Sequence, residues 1–444
     1  MIWIIFQLGC MFWVGWNITL FFKDGRIGLL ERAALAYALG AGVVTFAGFL
    51  LGAAGVTLNP SSLGAAYLGI SLVLFIVNRK RLGMAETGHP RSRRHPVALV
   101  LFIILALVIV FSGIINMYWP AHYPDSIGSW LAKGKAIAAT GSLSAVRFGS
   151  HPQYPLHVPL STALMFLHSE AMAKIPFTLN YICLIIIFFT YLRRTLSAVS
   201  ALLFTLLMAT LPYLFEQSYR ACADLTCALY YVSGTLYLCL FFREGKKSWL
   251  ILSGLLCGLS VWTKSEGWFL TGADVIVLFV YLLRKKRVGL LIYFILPTLI
   301  LGGSWSVYSS VMLGYSNRFF GNFKDSSEGI IQCRLSWWKL ESVLRYIWQK
   351  FLEKEAWGGL GPLFLIVLLL CWKSLKKFGY LLAIIMLNFI ILVFVFYSIP
   401  KDLQKMMHQT IKREYVHFFP LLVFYIALSV GPVLDAVLNI SRKS

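Results

Sequence analysis

Apolar runs of about twenty residues follow one another along this chain, separated by short polar connections. Each is long enough to cross a hydrocarbon layer of roughly 30 Å as a helix, a conformation that satisfies its own backbone polar groups there. The pattern predicts thirteen spans, at 1–22, 33–57, 62–79, 97–118, 176–192, 197–215, 225–242, 248–263, 267–283, 288–313, 359–372, 378–399 and 416–438. The first run, Met1 to Phe22, has neither a basic leader nor a small-residue cleavage site, so it reads as a span rather than a removable signal peptide. The stretch 155–173 is apolar enough to enter the membrane. It is short, however, carries Pro155 and Pro159 near its start, and would reverse the sidedness of everything after it if it crossed; we read it as juxtamembrane or re-entrant. Within 314–358, Trp338, Val343, Tyr346 and Phe351 fall near one face of an expected amphipathic helix at the membrane interface.

Composition agrees with lipid as the solvent. The chain is 59% hydrophobic and 13% charged, with a mean hydropathy of +0.76, which is more apolar surface than a soluble core buries. The expected fold is all-α and polytopic. A net charge of +22 would suit nucleic acid, but more than half of the 40 Lys and Arg residues sit in clusters at every second connection. These are Lys23/Arg26/Arg32, Arg79 through Arg94, Arg193/Arg194, Arg243/Lys246/Lys247, Arg284 to Arg287, Lys373/Lys376/Lys377 and Arg442/Lys443. The charge therefore reports topology, with the clusters on the cytoplasmic side, and no nucleic-acid partner is expected. The eight Cys residues are scattered, mostly inside apolar runs, without a C-x-x-C pair, as buried small hydrophobes would be. The only linker-like stretch is Gly83 to Pro96, which divides an N-terminal group of helices (1–96) from the remainder (97–444).

That topology puts 119–175, 216–224, 314–358, 400–415 and the tight Lys264 to Gly267 turn outside, and these hold the candidate chemistry. Asp125, Lys133, Lys135, His151 and Tyr154 lie in the first outer loop. A carboxylate at the mouth of an apolar groove is suited to take a proton from an attacking hydroxyl, although Asp is equally a favoured helix N-cap. The second outer loop places Glu216, Arg220 and Asp224 within nine residues, where an Arg220–Asp224 pair four apart on one helical face is the plain structural alternative. Lys264 and Glu266 occupy the turn, and His408, Lys412, Arg413 and Glu414 precede the last span. Four clusters of mixed charge on one membrane face point to a site for an anionic lipid substrate. Membrane-anchoring cations alone would not require the acids.

These residues resemble the glycosyltransferase C (GT-C) superfamily, which includes protein O-mannosyltransferases and the aminoarabinose transferase of lipid A. Asp125 with Trp130, then KGKA and HPQYPLHVPL, are similar to that family's first-loop strings. Tyr219, Ala223, Asp224 and Leu225 resemble its Y-x-x-AD-L, Lys264 to Gly267 its TK-x-EG, and Arg413 with Pro420 its C-terminal Arg and Pro. The resemblance spans about 97–420, and the three helices before it depart from the family's usual single one. It implies a multi-pass transferase, of bacterial inner or plasma membrane type, that takes sugar from a polyprenyl-phosphate carrier to an extracytoplasmic glycan, lipid or protein acceptor. Asp125 would be the general base and Asp224 the second catalytic carboxylate. Lys133, Lys135, His151, Tyr154, Arg220, Lys264, Glu266, His408 and Arg413 would bind substrate, with Lys135, Lys264 and Arg413 neutralising the phosphate. Asp224 and Glu266 could orient the acceptor or hold a divalent cation, a question left open by two carboxylates without a His partner. No cofactor is required. The rival reading is a transporter or flippase of an anionic lipid, but only Asp274 lies well inside a span and no repeat between halves is visible.

Overall fold

The protein is described here from a computed structural model covering residues 2–25, 27–79, 95–168, 170–314, 336–398 and 403–438. The linker from Gly83, the basic residues from Lys80 to Arg94, Arg26 and the pair Arg442/Lys443 lie outside the described residues. Three helices open the chain: α1 (Ile2–Thr19), α2 (Leu29–Ala53) and α3 (Pro60–Asn78). Two close approaches set the α1–α2 crossing. A Cβ added at Gly15 would lie 1.7 Å from the Ala36 carbonyl oxygen, and one at Gly40 the same distance from that of Met11. Only glycine lets the two backbones meet this closely. The start of α3 is fixed by a capping box in which Asn59 and Ser62 exchange side-chain to backbone bonds of 2.9 and 3.1 Å, with Pro60 where a missing N–H costs nothing.

A long apolar helix, α4 (Pro96–Tyr118), then leads into a polar region with α5 (Ala132–Thr140) and α6 (His157–Phe166). Next come α7 (Ile175–Leu192), α8 (Ala198–Ala209), α9 (Pro212–Gln217), α10 (Ala223–Glu244), α11 (Lys247–Thr263), α12 (Gly267–Arg284), α13 (Ile292–Thr298) and α14 (Ser304–Val311). The last group is α15 (Trp337–Phe351), α16 (Lys354–Trp357), α17 (Leu360–Leu370), α18 (Trp372–Lys377), α19 (Gly379–Ser398) and α20 (Leu403–Val437). Among the described residues there is no strand. At the centre stand α10 and α20, buried on nearly every side, whereas α3 and α4 present apolar faces outward as lipid-facing helices do.

Among the described residues, ten helices are long and apolar enough to cross a membrane, one of them the broken span Val288–Val311 with Pro297 inside it. The chain is thus an integral, multi-pass membrane protein. Three further expected spans fall on shorter apolar helices, α8, α11 and α17. The 155–173 stretch becomes the ten-residue α6, about 15 Å long and so too short to cross, with its residues buried against protein. On α15 the expected face is corrected. Val343, Ile347 and Phe351 recur every fourth residue and are buried, but Trp338, five positions before Val343 and so about 140° away, is exposed.

At the end of the bundle opposite the polar region, Glu31 in the first turn of α2 is buried and receives Arg194 Nη2 on both oxygens, at 2.9 and 2.7 Å. Tyr237 of α10 donates to the same carboxylate at 2.7 Å, and the Arg194 guanidinium lies 5.5 Å from the Trp249 ring of α11. The ion pair thereby ties α2 and α10 to the turn that follows α7 and to α11.

Candidate active site

Asp125 ends the connection after α4 and starts a wide helical turn, yet its side chain makes no capping bond. It pairs instead with Arg413 Nη1 of α20, so the capping alternative does not hold. Asp224, in the first turn of α10, is fully buried and has both oxygens engaged. Oδ1 takes Lys264 Nζ at 2.9 Å, and Oδ2 takes Arg413 Nε and Nη2 at 3.1 and 3.0 Å. Arg413 therefore bridges two carboxylates that are 99 positions apart in sequence. The Arg220–Asp224 pair does not form, because Ala221 adopts a left-handed backbone (φ 57) that breaks helical continuity between them. Arg220 turns to Glu216, bonds the Tyr213 hydroxyl at 3.0 Å and stacks 3.8 Å from the Tyr123 ring centre.

Lys264 sits where α11 ends and α12 begins. The turn closes only because residue 267 is glycine: a Cβ there would meet the Ser260 carbonyl at 2.6 Å. Burial alone would pull the Lys264 ammonium down, but Asp224, Glu266 at 3.1 Å and Glu414 at 3.8 Å hold it well above the usual lysine range. Glu266 in turn accepts a 3.1 Å bond from the Tyr154 hydroxyl, and Tyr154 packs 5.4 Å from the Trp130 ring. His151 adopts a left-handed backbone (φ 53), and its carbonyl accepts Lys133 Nζ at 2.5 Å. Lys133 is fully buried, and burial lowers its pKa to about 7.

One residue of the network escaped the sequence reading. His417, fully buried one turn after Arg413, lies 3.4 Å from Asp224 and 3.3 Å from Glu414, whose carboxylate faces Lys264. Its spacing of four from Arg413 and three from Glu414 on one helix is the signal that could have found it.

Around this network opens a cavity of about 1330 Å³. Asp125, His151, Tyr154, Arg220, Lys264, Glu266, His408 and Arg413 line it; Asp224 stands behind its wall. Lys135 is apart, 61% exposed and paired with Glu170 at 2.8 Å. Its lining includes the polar residues Tyr213, Glu216, Tyr219 and Glu353 and the apolar residues Phe269 of α12 and Ile391, Leu392, Phe394 and Val395 of α19. Among the described residues no three His, Cys, Asp or Glu side chains converge as a metal site.

Residues 151–305 match the family of dolichyl-phosphate-mannose-protein mannosyltransferases. No curated protein and no solved structure matches the chain. The matched segment contains Tyr154, Arg220, Asp224, Lys264 and Glu266, so a good part of the charged network lies inside it. The match makes residues 151–305 similar to a glycosyltransferase C superfamily domain and supports a membrane glycosyltransferase of that type.

Proposed function

We propose that the cavity passes a sugar from a polyprenyl-phosphate carrier directly to a hydroxyl acceptor on the extracytoplasmic side. The observation that carries this reading is Arg413: one guanidinium holds Asp125 in the cavity lining and Asp224 behind it, in a cavity lined by both polar and apolar residues. The apolar residues of α12 and α19 suit the prenyl chain, and the polar residues suit a hydroxylated acceptor. The acceptor oxygen attacks the anomeric carbon as the bond from that carbon to the phosphate oxygen breaks. The electron pair leaves on the phosphate, and Asp125 takes the acceptor proton. Arg413 and Lys264 neutralise the charge that grows on the leaving phosphate, while Asp224 holds both cations at the spacing this requires.

Arg413 is paired with Asp125, so a phosphate that takes the guanidinium exchanges one anion for another. The phosphate takes the guanidinium and the carboxylate is released to act as base. The test is Arg413→Ala, with Lys264 still present as the counter-ion of Asp224. The expected result is a donor KM raised about tenfold or more in folded protein, the loss expected of a charge-assisted contact. Unchanged donor kinetics would remove Arg413 from the site.

A further inference from the structure

The three N-terminal helices have no part in the chemistry above, yet α2 runs through the interior. It contacts α11 closely enough that a Cβ at Gly42 would meet Leu259 at 2.5 Å. Near its far end, Thr45 Oγ lies 2.7 Å from His157 Nδ1, and the Trp262 indole N–H reaches the same hydroxyl at 3.3 Å. On the other side of the imidazole, His157 Nε2 is 3.2 Å from the Tyr230 hydroxyl, which donates to the Ala38 carbonyl of α2 at 2.8 Å. A carbonyl only accepts, so the Tyr230 proton is committed to Ala38 and His157 Nε2 is the donor to the Tyr230 oxygen. Thr45 Oγ1 also lies 2.9 Å from the Ala41 and Gly42 carbonyls, so its single proton is shared among those acceptors and the imidazole Nδ1, while its oxygen accepts from Trp262. His157 is buried at the centre of these contacts.

His157 is the first residue of α6, directly after the 149–156 loop. That loop is held on its cavity side by Lys133 at His151, by Trp305 at the Gln153 carbonyl (2.9 Å) and by Tyr154 at Glu266. The α2–α3 connection adds a backbone bond from Leu58 to Gly141 at 2.8 Å, tying down the end of α5. We propose that Thr45 and His157 are positioning residues, through which helix α2 fixes the 149–156 loop and so keeps Tyr154 on Glu266. The N-terminal helices then act on the reaction through Tyr154, Glu266 and Lys264, without touching substrate. This rests on the donor assignment of the preceding section for its kinetic readout only.

Thr45→Val removes the hydroxyl at nearly constant shape and leaves the His157 Nδ1 and Trp262 N–H unanswered. In full-length protein, Thr45→Val should raise the KM for a polyprenyl-phosphate sugar about five- to tenfold, the scale of one buried neutral hydrogen bond. Thr45→Ser should restore it. Tyr154→Phe should have a similar effect, and the double variant should be no worse than the worse single, because both changes interrupt one path. A purely structural Thr45 would instead lower the yield of folded protein with both KM values unchanged, or add independently to Tyr154→Phe; either result overturns the proposal. Hydrogen exchange of 149–156 in detergent gives a readout that needs no donor. Faster exchange in Thr45→Val but not in Thr45→Ser supports the positioning role even if the wild type rejects polyprenyl-phosphate sugars, an outcome that would sink only the donor assignment. Unaltered exchange in both variants overturns it.

Discussion

Asp125→Asn should produce two effects of opposite sign. As the proposed base, Asp125 loses its proton affinity when it becomes an amide, and turnover should fall about 10²-fold or more. As a competitor for Arg413, it also loses its charge. The carboxylate to guanidinium contact is charge-assisted, a class with a net value of about 1.5–3 kcal/mol when shielded. Asp125 is 34% exposed and Arg413 16%, so water screens the pair and about 1 kcal/mol is the appropriate scale. Donor phosphate meeting an uncontested guanidinium should then bind about fivefold tighter. The variant keeps the size of the side chain, and Asp125 makes no capping bond that could be lost. Donor binding measured without acceptor, beside single-turnover transfer, separates the two effects. Near-normal turnover would refute the base assignment. Unchanged or weaker donor binding would refute the exchange at Arg413 while leaving the base intact.

Two further outcomes follow from burial and packing. Lys133 has a folded pKa near 7 against an ordinary value of 10.5. The unfolded chain therefore binds a proton that the folded one has released, and stability should rise with pH from about 7 to about 10; melting curves across that window should show the rise in wild type and a flatter profile in Lys133→Met. Gly40→Ala places a methyl group against the Met11 carbonyl oxygen and should destabilise the α1–α2 pair by about 1–3 kcal/mol, read as a lower melting temperature in detergent. A Gly40→Ala protein that melts like wild type would show that the two helices can separate freely.

The helices were legible because the period and length of apolar runs are large signals, and charged residues at the ends of such runs are conspicuous. Asp125, Lys264 and Arg413 could be placed on one face for that reason. Pairing inside the site was not legible. The partner of Arg220 depends on the left-handed backbone at Ala221, which no periodicity announces. His417 lies at the start of an apolar run, where a polar residue reads as membrane-edge decoration until α20 is seen to carry it into the interior. Trp338 was placed on the wrong face because aromatic character was weighed above angular position. Lys135 looked equivalent to Lys133 at a spacing of two, but on a helix that spacing puts them on opposite sides, one buried and the other beside Glu170.

The Glu31 cluster bears on how the protein is made. Translation delivers α2 to the membrane well before Arg194, Tyr237 and Trp249 exist, so the carboxylate at its first turn must wait for partners that follow by more than 160 positions. Until α7 and α10 have been synthesised, the early helices lack the contact that seats them. When Arg194 emerges, a waiting acid offers it a buried partner that lipid does not. A chain lacking the N-terminal helices would leave Arg194 without the acid that meets it in the finished fold.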